Sequence, residues 1–175
     1  MLIKTKIVGI APLLQNRFPD EEHKENESKR GKKVYKDDDE AKKRLYIDGK
    51  VVYQPANHIE SSMIKATVGG GFKISGRKTY KDAFKGGIFV NPSKIPHKNK
   101  KWVNDRQPVV VNRARIMRVR PRFDKWELEF TIECIDDRIS ESVIKEVLEY
   151  AGLYCGIGDM RPRYGRFKVT KFQKI

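Results

Sequence analysis

The sequence predicts an α+β fold: one antiparallel sheet with two helices on one of its faces. Three observations carry this. Runs rich in β-branched residues stand at the two ends of the chain, at 2–10 and 166–172. Two segments, 56–68 and 141–151, place apolar residues at helical spacing between a start signal and a stopping glycine. Between these segments, residues 109–135 form a long alternating stretch that can fold back on itself at Arg122-Phe-Asp-Lys125.

Taken in order, residues 2–10 form a strand that ends at Ala11-Pro12. Leu45-Tyr-Ile and Lys50-Val-Val-Tyr53 flank Asp48-Gly49, a dipeptide suited to a two-residue hairpin turn because both positions tolerate positive φ. Pro55 opens the helix 56–68, where a missing N–H costs nothing. Ile59, Met63 and Ala66 make its apolar stripe, and Gly69-Gly70-Gly71 stops it. Residues 72–108 read as irregular, with only 87–90 strand-like. Strand 109–121 is then expected to pair with 126–135. Setting Arg120 opposite Glu127 and Arg118 opposite Glu129 also sets Val119 with Leu128 and Met117 with Phe130, whereas a one-residue slip would face Arg with Leu. In this register Arg118 and Arg120 make ion pairs, while Arg113 and Arg115 fall opposite Cys134 and Ile132 and are left for a ligand. Ser140 caps the second helix, Val143, Ile144, Val147, Leu148 and Ala151 form its buried face, and Gly152 closes it. The order strand, helix, strand, strand, helix, strand is the ferredoxin-like β-α-β-β-α-β order. It is expected as a single domain over residues 1–175, with a charged flexible insertion at 19–44 and a basic insertion at 69–108.

Composition narrows the function classes. The chain has 175 residues and a formal charge of +15. No apolar run approaches the roughly 20 residues of a bilayer crossing, and the N-terminus lacks the pattern of a signal peptide. Cys134 and Cys155 lack metal-ligand spacing and read as buried thiols of a reducing compartment, so a cytoplasmic protein without membrane, metal or cofactor is expected. Residues 19–44 hold nine acidic and nine basic side chains and no apolar periodicity, so the excess charge belongs to the rest of the chain. It concentrates at 73–85, with Arg77 and Lys78, at 94–101, at Arg113 to Arg122, and at Arg161, Arg163 and Arg166. A surface of this kind attracts a phosphate backbone. Phe72, Tyr80, Phe84, Trp102, Phe123 and Tyr164 are interleaved with these cations, as rings that stack bases are in single-strand binders. Tyr164, between Arg163 and Gly165, ranks first among them.

The most informative stretch is Gly156-x-Gly158-x6-Gly165-Arg-Phe. Three glycines let a backbone approach a ligand closely, and Arg161, Arg163 and Arg166 can contact phosphates around exposed N–H groups. Asp159 is the only local carboxylate and is expected to engage Arg161. A helix leads through these glycines into a strand, the reverse of a dinucleotide-binding fingerprint, and no Gly-Lys-Ser/Thr of a P-loop follows.

Helix, Gly-x-Gly, a short basic stretch, Gly and a last strand together resemble the C-terminal glycine-rich loop of the RAMP superfamily, the RNA-binding proteins of CRISPR systems. Tyr53-Gln-Pro55-Ala-Asn-His-Ile-Glu-Ser-Ser-Met63-Ile-Lys65 resembles the segment that opens the first helix of RAMP backbone subunits, with Ala56 and Ser62 where those subunits carry glycines. The chain is also similar to small bacteriophage proteins ending in Gly-Asp-x-Arg-Pro-x-Tyr-Gly-Arg-Phe. The resemblance implies an RRM/RAMP-like fold, binding of single-stranded RNA, with single-stranded DNA as the alternative, and self-association along the strand. Candidate binding residues are Arg161, Arg163, Arg166, Tyr164, Gly156, Gly158, Gly165, Arg113, Arg115, Lys65, Arg77 and Lys78. RAMP nucleases use a histidine on the first helix as general base, and some backbone subunits use a loop aspartate. His58 and Asp37 to Asp39 occupy comparable positions, but a single histidine and a charge-balanced aspartate run do not by themselves indicate catalysis. An endoribonuclease, or an inhibitor mimicking a CRISPR subunit, are the competing readings.

Overall fold

The computed structural model describes residues 1–18, 37–111 and 113–175. Its elements run β1 (Leu2–Gly9), β2 (Leu13–Leu14), α1 (Asp37–Lys43), β3 (Ile47–Asp48), β4 (Val51–Pro55), α2 (Ala56–Gly69), β5 (Lys73–Ser75), β6 (Lys78–Thr79), α3 (Lys81–Gly87), β7 (Ile88–Asn91), β8 (Lys94–Pro96), β9 (Val103–Val111), β10 (Ala114–Phe123), β11 (Glu127–Cys134), α4 (Glu141–Tyr150), a π-helical turn (Ala151–Cys155) and β12 (Phe167–Lys174). The fold is thus mixed α+β with antiparallel sheets and is rich in strands. Among the described residues no helix is long and apolar enough to cross a membrane.

The largest sheet has the order β12-β1-β11-β7, and all its pairs are antiparallel. Its strands alternate. Ile3 and Ile7 of β1, Leu128, Phe130 and Ile132 of β11, and Ile88 and Val90 of β7 are buried. They join one core with Ile59, Met63 and Ala66 of α2 and Ile144, Val147 and Leu148 of α4. Each such side chain removed from water contributes about 1.5–3 kcal/mol, so a one-residue slip that brought Glu127 and Glu129 inside is strongly disfavoured. The opposite face is polar and nearly balanced in charge. Lys6 Nζ lies 2.9 Å from Glu127, Lys98 Nζ 2.6 Å from Glu129, and Asn91 donates to Glu133 at 3.2 Å.

The expected pairing of 109–121 with 126–135 is not formed. β10 pairs instead with β9 and β2 in a second sheet, with Arg118 opposite Gln107 and Arg120 opposite Asp105. The reason is that β11 has both edges occupied, by β1 and β7. Residues 103–108, read as irregular, together with 109–111, read as the start of the strand 109–121, form the strand that pairs with β10. The chain between β10 and β11 crosses from one sheet to the other, and Phe123 and Trp126 are buried at the crossing. Arg118 and Arg120 are still paired, but with Glu40 at 3.5 Å and Asp159 at 2.8 Å.

Other boundaries shift for local reasons. The β3–β4 pairing of Ile47 with Val52 and Asp48 with Val51 makes Gly49-Lys50 the turn, with φ +56° at Gly49, in place of Asp48-Gly49. Ser140 caps α4 as expected, accepting from Val143 N–H at 3.4 Å. Gly152 does not close it, because the π turn carries the chain on to Gly156 at φ +67°. Within the 69–108 segment, Phe84, Ile88, Val90 and Ile95 are core residues, so this segment builds the body of the protein. Of the 19–44 segment, residues 19–36 lie outside the described residues. The rest is not a loop, since 37–43 form α1, with acidic residues in its first turn, basic ones in its last and Ala41 buried. That charge order complements the helix dipole.

A buried histidine lies where the two sheets meet. His97 is 2% exposed and stacks on Phe123, with centroids 4.7 Å apart and planes 17° apart. Among the described residues its Nδ1 has no hydrogen-bond partner. Burial pushes its pKa from 6.5 down to about 4. As pH falls below the unfolded value, the unfolded chain takes up a proton that the folded ring refuses. Stability is therefore lost, at up to about 1.4 kcal/mol per pH unit, until the folded ring also protonates. Urea denaturation between about pH 7 and pH 5 is expected to show a shallower loss in His97→Phe, which keeps the stack, than in wild type. Equal slopes would show that His97 is not the group responsible.

Candidate nucleic-acid interface

The glycine loop, residues 156–166, is positioned by α2, α4 and β2. A Cβ on Gly152 would lie 2.4 Å from Phe167 O, so the end of the second helix passes directly against β12. The Ser62 hydroxyl on α2 donates to Gly156 O at 2.8 Å. The loop then lies along the start of the chain. Gly165 N–H donates to Pro12 O at 2.7 Å, Asp159 N–H to Leu14 O at 2.9 Å and, within the loop, Ile157 N–H to Gly165 O at 2.9 Å. Gly156, Gly158 and Gly165 have φ values of +67°, +77° and +71°. A Cβ on them would meet Tyr164 O at 2.8 Å, Leu14 O at 2.5 Å and Ile157 O at 1.8 Å.

These contacts correct one expectation. The three glycines serve backbone-to-backbone packing, and the N–H groups of Gly156, Ile157, Asp159, Tyr164 and Gly165 are all engaged within the protein. They do not form a nest of free donors for a phosphate. What the loop offers outward is side chains. Arg161, Arg163 and Arg166 are exposed, and among the described residues none has an ion-pair partner. Asp159 does not engage Arg161. Its buried Oδ2 lies 2.8 Å from Arg120 Nε without an aligned hydrogen bond, so the Arg120 charge compensates it.

Lys65 joins this group. It is exposed on α2, and both it and Arg161 act on the Cys155 thiol, partly offsetting the rise that burial imposes on its pKa. His58, seven residues before Lys65 and so on the same helix face, has a pKa lowered by burial first and by Arg161 second. The remaining candidates lie apart. Arg113 and Arg115 are exposed near the tip of the β9–β10 hairpin, with Arg115 opposite Val110. The hairpin meets the loop at Arg120, and the seven residues up to Arg113 carry the tip about 23 Å away along the strand. Arg77 and Lys78 are exposed on the β5–β6 hairpin beyond the C-terminal end of α2.

The aromatic candidates are mostly structural. Phe84 and Phe123 are buried, while Phe72, Tyr80 and Trp102 pack against the core. Tyr164 is half-buried, and Gln107 donates to its hydroxyl at 2.7 Å. The exposed ring beside the loop is instead Tyr154, 62% accessible, with its centroid 4.6 Å from that of Tyr150. Helical periodicity places Tyr154 on the buried face, seven residues after Val147. The π turn adds a residue, carries Cys155 inward and turns Tyr154 out. Of the aspartates considered for chemistry, Asp37 lies 3.7 Å from Arg106 and Asp38 accepts from Asn104 at 2.5 Å.

No family model matches the chain, and no curated protein matches it.

The packing role of the glycines has a direct test. Gly165→Ala is expected to lower the unfolding free energy by about 3 kcal/mol or more, through the overlap and the strained φ, while Arg163→Ala changes it by less than about 0.5 kcal/mol. Chemical denaturation of the two variants checks this, and a wild-type stability for Gly165→Ala would refute the packing role.

Proposed function

We propose that this chain is a non-enzymatic binding protein for single-stranded nucleic acid, with RNA favoured over DNA and copies lined up along the strand. The observation that carries the reading is the set of three exposed, unpaired guanidiniums on one rigid loop, Arg161, Arg163 and Arg166, beside Lys65 and the exposed Tyr154 ring. Guanidiniums suit phosphates because each presents a planar fork of donors, and an exposed tyrosine beside them offers a stacking platform of the kind single-strand binders use. The open face of the large sheet is left out of this reading, because Glu127 and Glu129 of β11 hold its Lys6 and Lys98 in ion pairs.

In this reading the large sheet and its two helices are a ferredoxin-like core. The sheet order β12-β1-β11-β7, with α2 between β1 and β7 and α4 between β11 and β12 in the chain, supports that reading. The preference for RNA comes from the RAMP resemblance of the glycine loop and the first helix. Self-association accords with the exposed apolar side chains of the β9–β10 hairpin, Val110 at 69% and Met117 at 46%. A polyanion would relieve the mutual repulsion of copies that each carry +15.

Anisotropy titrations of labelled single-stranded RNA and DNA across a salt series test the reading. Arg161→Ala, Arg163→Ala and Arg166→Ala are each expected to weaken binding with little dependence on sequence. Each should reduce the slope of log affinity against log salt by roughly 0.7, and the triple variant by about 2. Unchanged affinity and slope in the triple variant would remove the loop from the interface.

A further inference from the structure

A chain of buried amides leads from the backbone to His58. Gln15 and Gln54 are buried, at 1% and 0% exposure. Tyr46 N–H donates to Gln15 Oε1 at 2.9 Å, and Gln15 Nε2 donates to Tyr53 O at 2.9 Å and to Gln54 Oε1 at 3.1 Å. A backbone N–H can only donate and a carbonyl can only accept, so these two groups fix which end of Gln15 is oxygen. Gln15 Nε2 also lies 3.3 Å from His97 Nε2, but two NH2 groups cannot face each other at 3.1 Å, so the oxygen of Gln54 faces Gln15 and its NH2 faces His58 Nδ1 at 2.6 Å. An amide NH2 has no lone pair to offer, so Nδ1 must accept. The single proton of the neutral imidazole therefore sits on Nε2.

That Nε2–H has no partner within the protein among the described residues. The edge of Tyr46 meets the ring at 5.5 Å and 84°, which fixes the plane of the imidazole. Arg161 is close enough to act on the ring, and burial together with that charge keeps it neutral near pH 7. A fixed N–H donor thus stands with Arg161, and Lys65 lies two turns further along the same face of α2.

We infer that His58 Nε2–H, together with Arg161, holds a non-bridging phosphate oxygen of the bound strand, and that His58 is a positioning donor rather than a proton acceptor. The inference rests on the nucleic-acid reading for the identity of its ligand. It also sets the chain apart from a nuclease with a histidine base, because a base at this position would have to turn a lone pair outward, and the amide chain turns a proton outward.

The test uses the full-length protein. Nitrogen-15 correlation spectra of the imidazoles, assigned with His58→Phe, should show His58 protonated at Nε2 and bare at Nδ1. Titration with inorganic phosphate should move the His58 Nε2–H signal saturably. In strand binding, His58→Phe should weaken affinity about tenfold, and His58→Gln, which keeps an N–H donor, should restore most of the loss. Because the lost donor is neutral, His58→Phe should leave the salt slope unchanged, whereas Arg161→Ala lowers it. A proton on Nδ1, or a His58 signal indifferent to phosphate, overturns the inference even if the strand binds tightly. A wild-type chain that binds no strand overturns the nucleic-acid reading instead, and the phosphate titration then decides the His58 site alone.

Discussion

Two stretches of backbone lie against each other with no side chain between them, and much of the molecule is arranged around that seam. Residues 156–165 lie along 12–14 through Gly165 N–H to Pro12 O and Asp159 N–H to Leu14 O. Arg166 O accepts from both Ile10 and Ala11 N–H, extending the seam into the pairing of β1 with β12. Beyond Pro12 the same strand of chain becomes β2 and pairs with β10. One narrow contact thus joins the large sheet, the β9–β10 hairpin and, through Ser62, the first core helix. A loop held at so many backbone positions is rigid. Under the proposed function its arginines would lose little freedom to a ligand beyond that of their own side chains, which favours affinity.

Electrostatics divides the surface. Arg106, Arg118, Arg120, Arg122 and Arg138 all face carboxylates. The pair of Arg106 with Asp37 is exposed on both sides and adds little stability. The effect of all these pairs is to withdraw those cations from any anionic ligand. The glutamates of β11 do the same for Lys6 and Lys98. Among the described residues the arginines of the glycine loop, Arg113 and Arg115 near the tip of the β9–β10 hairpin, the cations of 73–85 and the lysines of β12 make no ion pair and carry the excess charge.

The two helices and the strands β1 and β11 were legible in the sequence because each rests on a short-range signal. Pro55 and the glycines after Val68 bracket α2, Ser140 starts α4, and alternation marks β1 and β11. The partner of β10 was not legible. Charge complementarity favoured β11 at the right spacing, but whether an edge is free depends on strands distant in sequence, here β1 and β7. β9 was missed because Asn104, Asp105, Gln107 and Pro108 carry little strand propensity, and only the ladder with β10 orders them. The role of the glycines was misassigned for a related reason. Tight approach to a ligand and tight approach to the chain's own backbone require the same residues, and spacing does not distinguish them. Tyr154 was hidden by a single inserted residue in the helical repeat. His58 was noticed as a lone residue, but its tautomer is decided by Gln15 and by two backbone groups far from it in sequence.

The overlap at Gly165 bears on how a lineage of such proteins can change. Any side chain there would run into Ile157 O, whereas Arg161, Arg163 and Arg166 are exposed and, among the described residues, make no ion pair. Drift is therefore confined to the residues between the glycines. Descendants that come to grip a different ligand should keep the spacing of Gly156, Gly158 and Gly165 while the charges around it turn over.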